Sequence, residues 1–184
     1  MQIVRRTCTL RALESRDAES IARHANDREI WLNLRDLFPH PYTISDAEWY
    51  IGHIEGEDPP LGFGIDVAGA IVGSISLKPG TDIERVSAEI GYWIGREYWG
   101  RGIASDAVVG MTRYAFDQLK FTRVFAVPFT RNPASCRVLE KAGFAREGEM
   151  RHSAIKDGLL LDQRLYGAYA DNWDPGSYRS PPTT

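Results

Sequence analysis

Apolar positions along this chain follow two different periods, and the places where the period changes mark out its elements. Residues 7–12 read as a first strand, and residues 17–25 set Ala18, Ile21, Ala22 and Ala25 on one face of a short helix. Residues 33–42 keep no period. Pro39 and Pro41 exclude a regular element there, which leaves an extended loop rich in polar and aromatic side chains. Ser45 and Glu48 have capping-box spacing, with Ile44 and Trp49 at staple positions, so a helix is predicted from Ser45. Its core face is Ala47, Tyr50, Ile51 and Ile54, and Pro59-Pro60 ends it.

From Gly62 the period becomes two. Residues 62–67 and 70–78 flank Ala68-Gly69 as a hairpin, and Ala88, Ile90, Tyr92 and Ile94 alternate with Glu89, Gly91, Trp93 and Gly95 as a third strand. Helical spacing returns with Ile103, Ala104, Ala107, Val108, Met111, Ala115 and Leu119, a helix of about four turns. Residues 121–128 are almost wholly apolar, as in a strand buried on both faces. A helix over 133–142 has Asn132 as N-cap and Pro133 at its first position, and Gly143-Phe144 fits a left-handed cap with its apolar contact. Residues 145–155 and 159–169 form a last hairpin, turned at Lys156-Asp157-Gly158. The order βααβββαβαββ, without repeats or linker, predicts one domain over residues 1–171 and a flexible, Pro-rich tail over 172–184.

Composition narrows the function classes. A formal charge of -3 and a pI near 5.8 give no general attraction to nucleic acid or an anionic membrane. No apolar run approaches ~20 residues, and the N-terminus has no signal-peptide core, so a cytoplasmic location is expected. Cys8 and Cys136 form no CxxC pattern, and His24, His40, His53 and His152 have no paired-ligand spacing. No metal is expected.

The candidate chemistry starts at Trp99-Gly100-Arg101-Gly102-Ile103-Ala104, a glycine turn between a strand and a long helix. Such a turn aims backbone N–H groups from the positive end of a helix dipole, and its glycines admit both φ > 0 and a close-lying ligand. Alone it indicates a phosphate or pyrophosphate binder. A dinucleotide fingerprint fits poorly, since GxGxxG is incomplete and the preceding strand belongs to a meander.

Joined to Asn132-x-x-Ser135-x-x-x-Leu139-x-x-x-Gly143-Phe144, the turn resembles the GNAT superfamily of N-acetyltransferases, in its ribosomal-protein (RimJ/RimL-like) branch. The resemblance runs over roughly residues 7–171. It implies a single α/β (α+β) domain with a mixed, mostly antiparallel sheet of six to seven strands, about four flanking helices, and a cleft for acetyl-CoA where two strands splay. The family pattern Gln/Arg-x-x-Gly-x-Gly/Ala falls on Trp99, Gly102 and Ala104. The resemblance places the CoA pyrophosphate on the amides of Gly100, Arg101, Gly102, Ile103 and Ala104. It lays the pantetheine arm beside Tyr92, Trp93 and Ile94, with Asn132 opposite. Trp99 replaces the usual Gln/Arg. Leu139 stands where many members carry a proton-donating tyrosine, and Ser135 is the substitute by analogy with the branch.

The implied reaction is direct attack of an amine on the thioester in a ternary complex. A thiolate of pKa ~8.5 leaves readily and needs only a hydrogen bond, which Ser135 can give. A main-chain N–H near Trp93-Ile94 would polarise the carbonyl. Freeing a lysine amine at pH ~7.5 costs roughly 4 kcal/mol, against only ~0.3–0.7 kcal/mol for a chain N-terminus. Glu89 is the candidate base, directly or through water, because it shares a strand with the proposed acetyl site; the position of a second glutamate used in the branch falls on Ala154. Arg35, Asp36, His40 and Tyr42, on the long loop, are candidate acceptor contacts. The acceptor is read as a protein N-terminal α-amino group or a small amine, with a homodimer left open. The alternatives are a non-catalytic CoA sensor of the same fold and a polyamine or aminoglycoside acetyltransferase.

Overall fold

The structure is a computed structural model, and it describes residues 1–176. Eight strands form one sheet: β1 (Gln2–Val4), β2 (Thr9–Arg11), β3 (Gly62–Val67), β4 (Ala70–Pro79), β5 (Ser87–Ile94), β6 (Arg123–Ala126), β7 (Ala145–Lys156) and β8 (Leu159–Tyr169). They lie in the order β1-β2-β3-β4-β5-β6-β8-β7. Five helices accompany them: α1 (Ala18–Ala25), α2 (Arg28–Trp31), α3 (Ile44–Ile54), α4 (Ile103–Asp117) and α5 (Pro133–Lys141). The expected six to seven strands and about four helices thus become eight and five. The additions, three-residue β1 and four-residue α2, are too short for either period to register.

One face of the sheet holds Ile75, Ala88, Ile90 and Ile94 against Ala107, Val108 and Met111 of α4 and Leu139 of α5. The other face packs Ile71 beneath Ile21, Ala22 and Ala25 of α1 and Ala47 and Ile51 of α3. α3 begins one residue before its expected start, and its cap lies two residues earlier than expected. Thr43 is its N-cap, and the Thr43 and Asp46 side chains make the reciprocal box in place of Ser45 and Glu48. Two overlapping matches to one pattern stood in the sequence, and the earlier one forms.

All neighbouring strands pair antiparallel except β5 and β6, and their parallel ladder covers only Ser87–Arg123, Ala88–Val124 and Glu89–Phe125. Beyond Glu89, β5 continues to Ile94 with β4 alone, so the sheet opens into a V. Of the tail expected over 172–184, residues 177–184 lie outside the described residues. The segment before them stays on the domain: Trp173 Nε1 donates to Ala142 O at 2.9 Å, and its ring meets Phe116 edge-on at 5.6 Å. Among the described residues no helix is long and apolar enough to cross a membrane.

Candidate active site

The V holds a cleft of about 390 Å³ between the free end of β5, the glycine turn, the start of α4 and α5. Gly100 and Gly102 sit at φ 75° and 79°, a left-handed conformation that a side chain would strain. The first α4 bond shown runs from Asp106 N–H to Gly102 O. The N–H groups of Ile103, Ala104 and Ser105 therefore stand outside the helical ladder at the positive end of the dipole. No side chain caps them.

Trp99 has a defined task in the fold. Its Nε1 donates to Ile94 O at 2.7 Å, tying the turn back onto the strand it leaves. Gly95 N–H bonds Val72 O on β4, so by strand alternation the main-chain groups of Tyr92 and Ile94 point away from β4, into the V. With the Ile94 carbonyl taken by Trp99, the Tyr92 main chain and the Ile94 N–H are the groups offered to a ligand.

Across the V, the Tyr92 hydroxyl and Ser135 Oγ share a hydrogen bond of 2.8 Å. Burial pushes the Tyr92 phenol well above its ordinary value, against the opposing effect of the Ser135 bond. Asn132 Oδ1 accepts from Ser135 N–H at 3.1 Å and so caps α5, as its sequence position predicts. Leu139 is fully buried in the core, which leaves Ser135 and Tyr92 as the hydroxyls at this point of the cleft.

Tyr92, Trp93, Ile94, Trp99, Gly100, Gly102, Ile103, Ala104, Asn132 and Ser135 all line this one cleft. Arg101 does not. Its guanidinium lies over the Tyr98 ring, 5.2 Å from the centroid.

The candidate base and acceptor residues are placed differently. Glu89 lines a second cavity, of about 300 Å³, and both its oxygens accept from Arg35 Nη2, at 2.6 and 2.7 Å. Asp36 takes Lys156 Nζ at 2.8 Å, and His40 stacks on Trp31 at 5.5 Å. Tyr42, expected in the acceptor pocket, is 6% exposed and belongs to the second core, its ring tilted against Phe38 at 4.8 Å. None of these five lines the larger cleft. Its far wall is made instead by Glu29 and Ile30 of α2 and by Asn33 and Leu34 just after it, with Arg137 and Lys141 of α5 at the mouth. The Asp27 cap of α2, accepting from Glu29 N–H, was the readable signal for that wall. Lys156 carried no such signal. It is 1% exposed, its Nζ 3.9 Å from the Trp31 ring centroid, and it joins the β7–β8 hairpin to the loop.

Residues 8–145 match the family model described as an acetyltransferase (GNAT) domain. The chain is 30% identical over 173 residues to YdaF of Bacillus subtilis, named as a candidate ribosomal N-acetyltransferase, with 90% of this chain and 93% of that one covered. Among solved structures it resembles the ribosomal-protein-S5-alanine acetyltransferase of Vibrio fischeri, at 25% identity and a TM-score of 0.76, covering 95% and 100% of the two chains. It also shares its fold with Mycobacterium smegmatis RimJ in complex with a CoA disulfide, at 24% identity, TM-score 0.80, and 89% and 82% covered.

Proposed function

The chain belongs to the GNAT acetyltransferase family, in its RimJ/RimL-like branch, and we propose that it moves the acetyl group of acetyl-CoA to the α-amino group of a protein N-terminus or of a small amine. The observation that carries the reading is the cleft itself. A glycine turn and a bare helix N-terminus stand at one end, and a hydroxyl pair joins β5 to α5 at the other. The residues suit the donor: free amides and the Arg137 and Lys141 cations for phosphates, and strand main chain for an amide-bearing arm. The described relative RimJ, which is bound to a CoA disulfide, supports the same choice.

When bound, acetyl-CoA supplies an activated acyl group, and the protein's share is orientation and charge. The Ile94 N–H, turned into the V, can donate to the acyl oxygen as charge builds there, the kind of contact worth about 3–4 kcal/mol in acyl transfer. Ser135 donates to the sulfur. The bond to the Tyr92 hydroxyl holds Ser135 Oγ in place, and with the phenol as donor the serine proton is left for the cleft.

Proton removal from the acceptor favours an α-amine. Glu89, the candidate base, is covered by Arg35 in the second cavity, and Glu29, a carboxylate that lines the cleft, stands on its far wall. An α-ammonium needs almost no base near neutral pH, whereas a lysine or polyamine needs roughly 4 kcal/mol of help. The name of the Vibrio fischeri structure, an alanine acetyltransferase acting on a ribosomal protein, agrees with that preference.

The test is an acceptor panel of N-terminal peptides, amino acids, polyamines and aminoglycosides, read by release of free CoA thiol. Peptides or amino acids should turn over fastest. Fast turnover of polyamines alone would overturn the α-amine reading. Tight CoA binding with no thiol release from any amine would indicate a sensor.

A further inference from the structure

The second cavity has a wall of unusual charge. Glu89 is the last β5 residue paired with β6, so its carboxylate stands where the V begins. Lys78, Glu84, Arg123 and Phe125 complete the wall. Arg123 is engaged: it donates to Glu147 at 2.6 Å and its guanidinium lies over Phe125 at 4.7 Å. Lys78 has no hydrogen-bond or ion-pair partner among the described residues.

Arg35 reaches this wall from the loop. Its side chain is 66% exposed, against 20% for Glu89, and a single nitrogen, Nη2, meets both carboxylate oxygens. Nη1 and Nε hold no partner among the described residues. The N–H donors on those two nitrogens are therefore open to a further carboxylate. A pair with one partner so exposed is weak in water and rearranges easily. Lys78 in the wall and Arg35 on Glu89 thus leave open donors beside a cavity whose β5 carboxylate is covered by a movable cation.

We propose that this cavity takes the acceptor, and that the acceptor is an α-amine carrying a carboxylate about one residue away. The inference rests on the acetyl-transfer reading and specifies its substrate. The carboxylate docks on Arg35 and draws the guanidinium off Glu89, and the uncovered Glu89 then meets the ammonium. One ammonium proton passes to Glu89 and later to water. The nitrogen pair forms the C–N bond as the C–S bond breaks with its electrons on sulfur, and the second nitrogen proton reaches the thiolate through water. Arg35 is a specificity residue, and it masks Glu89 until the right acceptor arrives.

The experiment compares two peptide amides that differ only by Asp or Asn at the second position, with the wild-type protein and Arg35→Gln. Thiol release gives kcat/KM, and calorimetry on the CoA-loaded protein gives acceptor binding. Wild type should favour the Asp peptide by about tenfold or more. Arg35→Gln should bring that ratio near one from both sides, slowing the Asp peptide and speeding the Asn peptide, because Glu89 is now uncovered. An unchanged ratio, or equal loss on both peptides, overturns the proposal while leaving acetyl transfer standing. Arg35-dependent binding of the Asp peptide without any thiol release would keep the acceptor site and overturn the transfer reading. Free aspartate as a third acceptor separates a small-molecule source from a peptide: faster turnover of either assigns it.

Discussion

The two walls of the site are built in opposite ways. On the donor side the contacts that shape the glycine turn and the start of α5 are short in sequence: Trp99 to Ile94 spans five residues, and Ser135 to Asn132 spans three. On the acceptor side they are long. Lys156 to Asp36 spans 120 residues, Arg28 to Asp157 spans 129, and Arg131 to the Leu32 carbonyl spans 99. The donor wall works through main-chain groups that any sequence with the right turn supplies. The acceptor wall is a loop held by side chains from a distant hairpin, and side chains can be exchanged without touching the fold. That division suits a family that keeps one donor while its acceptors vary.

The largest expected effect tests how firmly the donor wall is anchored. Asp106, in the first turn of α4, is 1% exposed and accepts from Arg5 Nε and Nη2 at 3.1 and 2.9 Å and from Thr7 N and Oγ1 at 2.8 and 2.9 Å. Asp106→Ala strips the anion from a guanidinium that is itself buried, and should cost about 3–5 kcal/mol of stability. Urea unfolding measures it. A loss under about 1 kcal/mol, the value of an exposed pair, would mean that the start of α4 is held by packing alone.

Next comes the hydroxyl pair. Ser135→Ala should lower kcat about 10–100-fold, the range for one proton-donating group, and leave the acetyl-CoA KM nearly unchanged. Tyr92→Phe should move kcat the same way by less, and the double variant should be no slower than Ser135→Ala. Additive losses would show that the tyrosine acts apart from the serine.

The same contrast explains what could be read beforehand. The alternation of Ala88 to Ile94, the glycine turn and the Asn132 cap are local patterns, and they pointed to residues, from Trp99 to Ser135, that the fold brings into one cleft. Tyr92 was noticed for its main chain, while its hydroxyl bond to Ser135 crosses 43 residues and needed the fold. Tyr42 misled because an aromatic residue beside a proline in a polar loop looks like a binding residue, yet tertiary packing buries it. Lys156 stood in an ordinary Lys-Asp-Gly turn, and nothing local says that its ammonium will lie under Trp31. The splay itself was readable only through the family resemblance, since no local pattern tells where β5 and β6 part.

The acceptor wall should respond more mildly and more selectively. Lys156→Met keeps the buried stem and removes the charge that holds Asp36, which is 74% exposed. Losing the tether should raise the acceptor KM about three- to tenfold, as one charge-assisted contact implies. The donor KM should stay within about twofold and the stability within about 1 kcal/mol, because a buried charge is removed along with its partner contact. An equal rise in both KM values would show that the two walls are one mechanical piece.

The smallest effect concerns the joint between them. His24 is on α1, on the acceptor face of the sheet, yet its ring meets Tyr98 of the donor turn edge-on at 5.5 Å and abuts Gly95, where a Cβ would lie 2.8 Å from Nδ1. Burial holds its pKa below the ordinary value near 6.5. Glu97 pulls the other way, while Arg23 adds to the depression. The folded protein therefore binds this proton more weakly than the unfolded chain does, so stability is full above about pH 6.5 and falls as the pH drops below it. The fall levels off once the folded ring is itself protonated. Thermal unfolding from pH 7 to 5 should show this slope in the wild type and a flatter one in His24→Asn. In that window acetyl-CoA affinity should weaken with stability, because a charged imidazole presses on the strand end from which the glycine turn departs. If stability falls while donor affinity holds, the joint serves α1 alone, and the two walls are independent at this point as well.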